Sequence, residues 1–240
     1  YMRMLRSIYN RGVDMHQAPY VHGLFRDVFT GVDTRQKKAI PIGELHMLLN
    51  KDPQSEKLRR TQAIANLLFQ FCGMPFSDLA HLEKSNLERG LLKYNRTKTG
   101  TPMSIEVLES AQNAIGGLYN KSDARSSGYP DYLFRILSGA YKRNEEGAYR
   151  EYQSALRRFN NELKSLSRKL RLHSPVTSYT LRHSWATTAK YRGVPIEMIS
   201  ESLGHKSIKT TQIYLKGFEL EERTKVNKLN YSYVCNFKML

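Results

Sequence analysis

Three side chains and their spacing define the chemistry this chain could attempt. Arg182 lies in the run Thr180-Leu181-Arg182-His183-Ser184-Trp185-Ala186-Thr187, His205 follows Leu203-Gly204, and Tyr214 stands nine residues beyond that histidine. A guanidinium holds non-bridging phosphate oxygens by paired charged hydrogen bonds, an imidazole adds a further donor, and a phenol supplies an oxygen nucleophile. In that order they describe attack by a tyrosine on phosphorus, so the expected substrate is a phosphodiester. Each residue also has an ordinary use. Tyr214 is one of 15 tyrosines, Arg182 could pair with an acid, and His205 could close a helix after the Gly204 turn. The joint pattern carries the reading.

Composition agrees with a polyanionic partner. The chain holds 38 Lys+Arg against 22 Asp+Glu, a formal charge of +16, which gives an attractive field for nucleic acid. With 240 residues, 40% of them hydrophobic, it can bury one substantial core and carry an appended segment. Only Cys72 and Cys235 are present, too few for a disulfide framework, and no Cys-x-x-Cys pair suggests zinc. No apolar run approaches the roughly 20 residues that span a bilayer, and the first residues lack a signal-peptide pattern. The expectation is a cytoplasmic protein of a reducing compartment, with no membrane partner, excised at Tyr1 from something longer.

The elements that must position these residues follow from periodicity. Met4, Leu5, Ile8, Tyr9 and Val13 predict a helix over residues 1 to about 17, followed by a turn-rich linker to Pro41. Ile42, Leu45, Leu48 and Leu49 begin a helical pattern that stops near Asp52-Pro53. A second runs from Glu56 to Phe71 with Ile64, Leu67, Leu68 and Phe71 on one stripe, ending at Gly73. Leu91-Tyr94 and Met103-Val107 read as strands joined by the polar turn Arg96-Thr97-Lys98-Thr99-Gly100, part of a small antiparallel sheet with Lys98 at a hairpin tip. Helices are expected over 108–119 and 130–140. A long amphipathic helix is expected through Tyr149, Tyr152, Leu156, Phe159, Leu163, Leu166 and Leu170. Two more run from Thr180 to Arg192 and from Pro195 to Leu203, the latter stopped by Gly204.

The run Thr180 to Trp185, the turn Leu203-Gly204-His205-Lys206-Ser207 and the segment Thr210-Thr211-Gln212-Ile213-Tyr214 resemble the catalytic domain of tyrosine recombinases, the phage integrase family, closest in flavour to integrases of conjugative transposons and related mobile elements. The resemblance covers roughly residues 40 to 220. It implies an α+β fold: a mainly helical catalytic domain over 41–220 with a small antiparallel three-stranded sheet. Residues 1–40 would be the terminal helix of a core-binding domain plus linker, and 221–240 a tail that docks on a neighbouring protomer. It implies Tyr214 as nucleophile forming a 3′-phosphotyrosyl link, Arg182 and His205 as donors to the pentavalent centre, and Lys98 as proton donor to the leaving 5′-oxygen. No metal or other cofactor is implied. Trp185 is expected to pack beside the site, and His183 to be a core histidine.

Two positions depart from the family pattern. Gly73-Met74-Pro75-Phe76-Ser77-Asp78-Leu79 puts Pro75 where the family motif has its first arginine, and Tyr179 stands where it usually has histidine. A missing preorganised donor costs about 3–4 kcal/mol, a rate factor of a hundred or more. Arg59, Arg60 and Arg96 are the candidates to replace it, and together with Lys206 and Lys209 they are expected to contact DNA. Tyr179 is expected to bind or position the phosphate rather than act as a base, since a phenol has a pKa near 10. Asp78 matches the motif's acidic residue and is expected to orient Arg182 or support the fold.

The function implied is that of a site-specific DNA recombinase that cuts and rejoins double-stranded DNA. It would act as a tetramer on two DNA sites, be a monomer when free, and be aided by an accessory DNA-bending protein in a bacterial nucleoid. The alternatives are a catalytically weakened recombinase-derived DNA-binding protein and a type IB topoisomerase-like enzyme.

Overall fold

A computed structural model describes residues 1–29, 39–122, 128–215 and 220–235, with the side chains of 213, 214, 220–222, 233 and 234 outside the description. The chain divides into two compact units, Tyr1–Gln36 and Lys37–Leu240.

In the first unit, α1 (Met2–Asp14) carries Tyr9, whose hydroxyl donates to the Pro19 carbonyl at 2.9 Å and accepts from the Val21 amide. The Tyr9 and Phe25 rings lie 5.7 Å apart. The stretch after α1, expected to be a plain linker, therefore folds back onto the helix as far as these residues. Met4, Leu5 and Ile8 remain exposed.

The second unit is built around α3 (Glu56–Gln70). Ile64, Ala65, Leu67 and Leu68 on its buried face pack among α5 (Glu109–Leu118), α6 (Glu146–Lys169) and α7 (Ser178–Tyr191). Full burial of a leucine contributes about 1.5–3 kcal/mol, so this stripe anchors the domain. α2 (Ile42–Asn50) packs on α3, where Gln62 and Asn66 donate to the Leu48 and Leu49 carbonyls. The short α4 (Phe76–Ala80) reaches α6 through Phe76, stacked 4.8 Å from Phe159. In α6 the apolar stripe is buried from Phe159 through Leu166, but at its start Tyr149 is exposed.

The sheet has three strands in the order β1-β2-β3, where β1 is Leu87–Glu88, β2 Leu91–Asn95 and β3 Pro102–Glu106. All pairs are antiparallel. Leu92 faces Ile105 across β2 and β3, and both are buried. The register closes with Asn95 opposite Pro102, which leaves Arg96 to Thr101 as the connecting loop.

Residues 130–140 are not a helix. Tyr132 and Phe134 form isolated bridges with Glu83 and Tyr119, and Tyr132, Leu133 and Phe134 are all buried. Three successive buried residues require cover on both sides of the chain, which an extended segment between neighbours provides and an amphipathic helix does not.

The final elements are α8 (Ile196–Ser202), α9 (Ile208–Tyr214) and α10 (Leu220–Cys235). Ala186, Ile199, Leu203 and Leu215 form a second small core that joins α7, α8 and the end of α9.

Candidate active site

α7 begins with a capping box. The Thr177 side chain accepts from the Thr180 amide at 3.1 Å, and the Thr180 hydroxyl accepts from the Thr177 amide at 2.8 Å, so two otherwise orphaned donors are satisfied. Ser184 fixes the helix laterally, because its hydroxyl accepts the Ile40 amide at 2.8 Å. This orientation drives Arg182 inward, to 6% exposure.

The Arg182 guanidinium is held by main-chain oxygens. Nη1 donates to Gly73 O at 2.9 Å and Nη2 to Leu203 O at 2.6 Å, while Nη2 also lies 3.2 Å from His205 Nε2. Gly73 has to be glycine here: its φ is +65°, and a Cβ would stand 3.1 Å from Trp185 Cβ and 3.2 Å from Arg182 Cα. Trp185 itself packs on the small core beside the site.

Arg96 brings a second guanidinium to the Leu203 carbonyl, tied through Asp78 to the helix that follows Pro75. Pro75 precedes the first turn of α4 as its N-cap, and Asp78 in that turn connects the helix to Arg96. Asp78 in that helix is buried, its Oδ1 accepts the Thr97 amide at 3.1 Å, and its Oδ2 lies 3.0 Å from Arg96 Nε. The N–H does not align for a full hydrogen bond there, so the contact is an ion pair by proximity. Arg96, 7% exposed, then donates through Nη1 to Leu203 O, the same oxygen that receives Arg182. Gly204 makes this approach possible: at φ +64° a Cβ would meet Arg96 Cδ and Met103 Sδ at 2.7 Å. Of the three candidates, Arg59 instead bonds Asp52 at 3.0 Å and Glu56 at 3.4 Å, and Arg60 donates to the Arg135 carbonyl. Asp78, expected to orient Arg182 or support the fold, has Arg96 as its ionic partner.

His205 follows α8, its amide bonded to Ser200 O at 3.0 Å. Arginine carries only donors, so Nε2 accepts from Arg182. The proton of the neutral ring is then on Nδ1 and is donated to Thr211 Oγ1 at 2.8 Å. Burial, followed by the fields of Arg182, Arg96 and Lys98, pushes the His205 pKa down to about 4. Lys98 itself is exposed in the hairpin turn, close enough for its charge to act on the ring.

Tyr214 is the last residue of α9, one turn after Thr211, and its side chain is outside the description. Tyr179 occupies the first turn of α7 at 41% exposure, whereas His183 is buried. Lys206 and Lys209 are exposed around the start of α9. The residue that sequence reasoning missed is Thr211, fully buried against His205. A signal was present, since it lies within the Thr-Thr-Gln-Ile-Tyr segment.

The sequence profile of the phage integrase family matches residues 42–220, and the chain belongs to that family. It is 28% identical over 204 residues to a probable integrase/recombinase protein of Methanocaldococcus jannaschii, covering 82% of this chain and 58% of that protein. It is 30% identical over 190 residues to tyrosine recombinase XerD of Halalkalibacterium halodurans, covering 75% and 57%. The chain thus spans a little over half the length of these relatives. Among solved structures it is similar to the Tn1549 transposon integrase in complex with a circular intermediate DNA, with TM-score 0.62, 15% identity and coverage of 93% and 77%. It is also similar to XerA recombinase, with TM-score 0.56, 21% identity and coverage of 88% and 68%. These likenesses establish the fold.

Proposed function

We propose that the chain is the catalytic part of a site-specific DNA recombinase that cuts and rejoins double-stranded DNA through a tyrosine. The observation that carries this reading is the convergence of Arg182, Arg96 and His205, from three separated segments, around the Leu203 carbonyl, with α9 bonded to the same histidine. Two guanidiniums sharing one neutral oxygen form a seat that a phosphate would fill more favourably, since an anion answers both charges.

In the proposed reaction the Tyr214 phenol gives up its proton to solvent as its oxygen bonds to phosphorus, and the bond to the 5′-oxygen breaks. That oxygen takes a proton from Lys98, leaving a 3′-phosphotyrosyl link and a free 5′-hydroxyl. Arg182 and Arg96 bind the non-bridging oxygens, His205 donates to one of them, and Tyr179 helps position the phosphate. Rejoining is the reverse, with an incoming 5′-hydroxyl returning its proton to Lys98. Arg96 takes the part that Pro75 leaves vacant, which removes the reason for a catalytically weakened protein. A topoisomerase reading is not favoured by relatives named as recombinases.

Lys206 and Lys209 contact DNA phosphates near the cut. Arg59 and Arg60, exposed at the start of α3, do so by exchanging surface partners, a change of small cost. Residues 1–40 end a core-binding domain. α10 exposes Val226, Leu229 and Tyr231 and docks on a neighbouring protomer of a tetramer assembled on two DNA sites with an accessory bending protein. The protein serves a mobile element of the conjugative-transposon kind in a bacterial cytoplasm. No described helix is long and apolar enough to cross a membrane.

A nicked suicide DNA substrate tests the core claim. The chain should form a covalent adduct that Tyr214→Phe abolishes; an adduct that persists in the variant overturns the assignment.

A further inference from the structure

We propose that Thr211 is a positioning residue that lets His205 exchange tautomers, accepting from Arg182 in the free protein and donating to phosphate in the DNA complex. The inference rests on the recombinase reading for its second half only.

In the DNA-free protein His205 Nε2 faces Arg182 Nη2 at 3.2 Å and so carries a lone pair. As a donor to a phosphate oxygen it must carry a proton on that nitrogen. Among the described residues the charged groups acting on the ring are Arg182 from α7 and Arg96 and Lys98 from the β2–β3 loop, all cationic, and they oppose a second proton. The change is therefore easiest as an exchange at constant charge. One proton leaves Nδ1 and one arrives at Nε2, both exchanged with solvent, so the ring is neutral before and after the change.

Such an exchange needs a partner at Nδ1 that tolerates either state. A carboxylate or a carbonyl only accepts and would lock the proton on Nδ1; an amide N–H only donates and would exclude it. A hydroxyl does both by rotation. Thr211 Oγ1 lies 2.8 Å from Nδ1, and the residue is fully buried, so water does not readily replace it. Thr211 also lies one turn before Tyr214, so the helix that ends in the proposed nucleophile orients the histidine. Seating of α9 and the state of the ring are thereby linked through one oxygen.

The test has two arms, one independent of any reaction. Nitrogen-15 NMR of the DNA-free protein, with the His205 signals assigned by their loss in His205→Gln, should show the Nδ1-protonated tautomer. Thr211→Val removes the hydroxyl at nearly constant shape and should shift the ring toward Nε2 protonation, whereas Thr211→Ser should retain the wild-type pattern. Thr211→Ala gives the same readout should valine not be accommodated. An unchanged tautomer in both Val and Ala variants overturns the proposal.

The second arm measures covalent cleavage of a nicked suicide substrate. Thr211→Val should slow it by about tenfold, the scale of one hydrogen bond lost, and Thr211→Ser should recover it to within about threefold. In a His205→Ala background the same Thr211→Val change should alter the residual rate by less than about twofold, because the residue acts through the ring. A wild-type rate in Thr211→Val, or an equal loss in both backgrounds, overturns the positioning role. Absence of an adduct from the wild-type chain overturns the recombinase reading instead, and the NMR arm still decides the tautomer.

Discussion

Arg96 and Arg182 donate to one and the same acceptor, the carbonyl oxygen of Leu203, although one arrives from the β2–β3 loop and the other from α7. The pairing puts two like charges side by side in a buried site. It is tolerable because Asp78 lies 3.0 Å from Arg96 and main-chain oxygens satisfy Arg182.

Replacing Arg96 by alanine should therefore reduce covalent cleavage by a hundredfold or more, the cost of about 3–4 kcal/mol for one preorganised donor. Arg59→Ala and Arg60→Ala should leave the chemical step close to wild type, since those side chains are engaged elsewhere. Pro75→Arg should give no gain while Arg96 is present. Single-turnover rates with a suicide substrate separate these outcomes.

Asp78→Ala should destabilise the fold by about 3–5 kcal/mol, because it leaves the buried Arg96 charge without its counterion. Urea denaturation measures the loss. An Arg96→Met, Asp78→Leu double replacement should recover part of that stability while remaining inactive.

Gly204→Ala should cost about 1–3 kcal/mol for the left-handed backbone alone and should also displace Arg96, whose Cδ would lie 2.7 Å from the new carbon. Cleavage should then fall further than stability explains. Gly90→Ala is the control: its φ is also positive, +78°, but no atom lies within 4 Å of the added carbon.

For His205, whose pKa is pushed down to about 4 from an ordinary value of 6.5, the sign of the pH effect follows directly. Between those values the unfolded chain binds a proton that the folded chain refuses, so stability is complete above about pH 6.5 and declines toward pH 4. His205→Gln should flatten that part of the curve. Urea midpoints at neutral and mildly acidic pH, compared between the two proteins, check it.

Lys98→Ala should slow cleavage of an ordinary phosphodiester strongly but be nearly silent when the 5′-bridging oxygen is replaced by sulfur. A thiolate leaves without protonation, its conjugate acid having a pKa near 8.5 in cysteine. Comparable losses on both substrates would remove Lys98 from the role of proton donor.

Much of this architecture was legible in the sequence where a pattern was both long and one-sided. The Ile64, Leu67, Leu68 stripe of α3 and the Phe159, Leu163, Leu166 stripe of α6 are such cases, and the order of arginine, histidine and tyrosine marked the family. Residues 130–140 failed because an apolar cluster in a strand-like bridge resembles a buried helix turn, and periodicity does not separate them. α9 was not foreseen because Lys209, Thr210, Thr211 and Gln212 give it no apolar stripe; the bond from His205 to Thr211 is a tertiary contact. Whether Arg59, Arg60 or Arg96 could reach Arg182 was a question of distance. It is decided by the absence of a Cβ at Gly204 and by the register that ends β2 at Asn95.

The oxygens that receive Arg182 belong to Gly73 and Leu203, and both are peptide carbonyls. No substitution of a side chain erases such an acceptor, so the mould that cradles a guanidinium is inherited with the course of the backbone. An arginine lost at one sequence position can therefore be supplied from another while the mould itself need not be rebuilt.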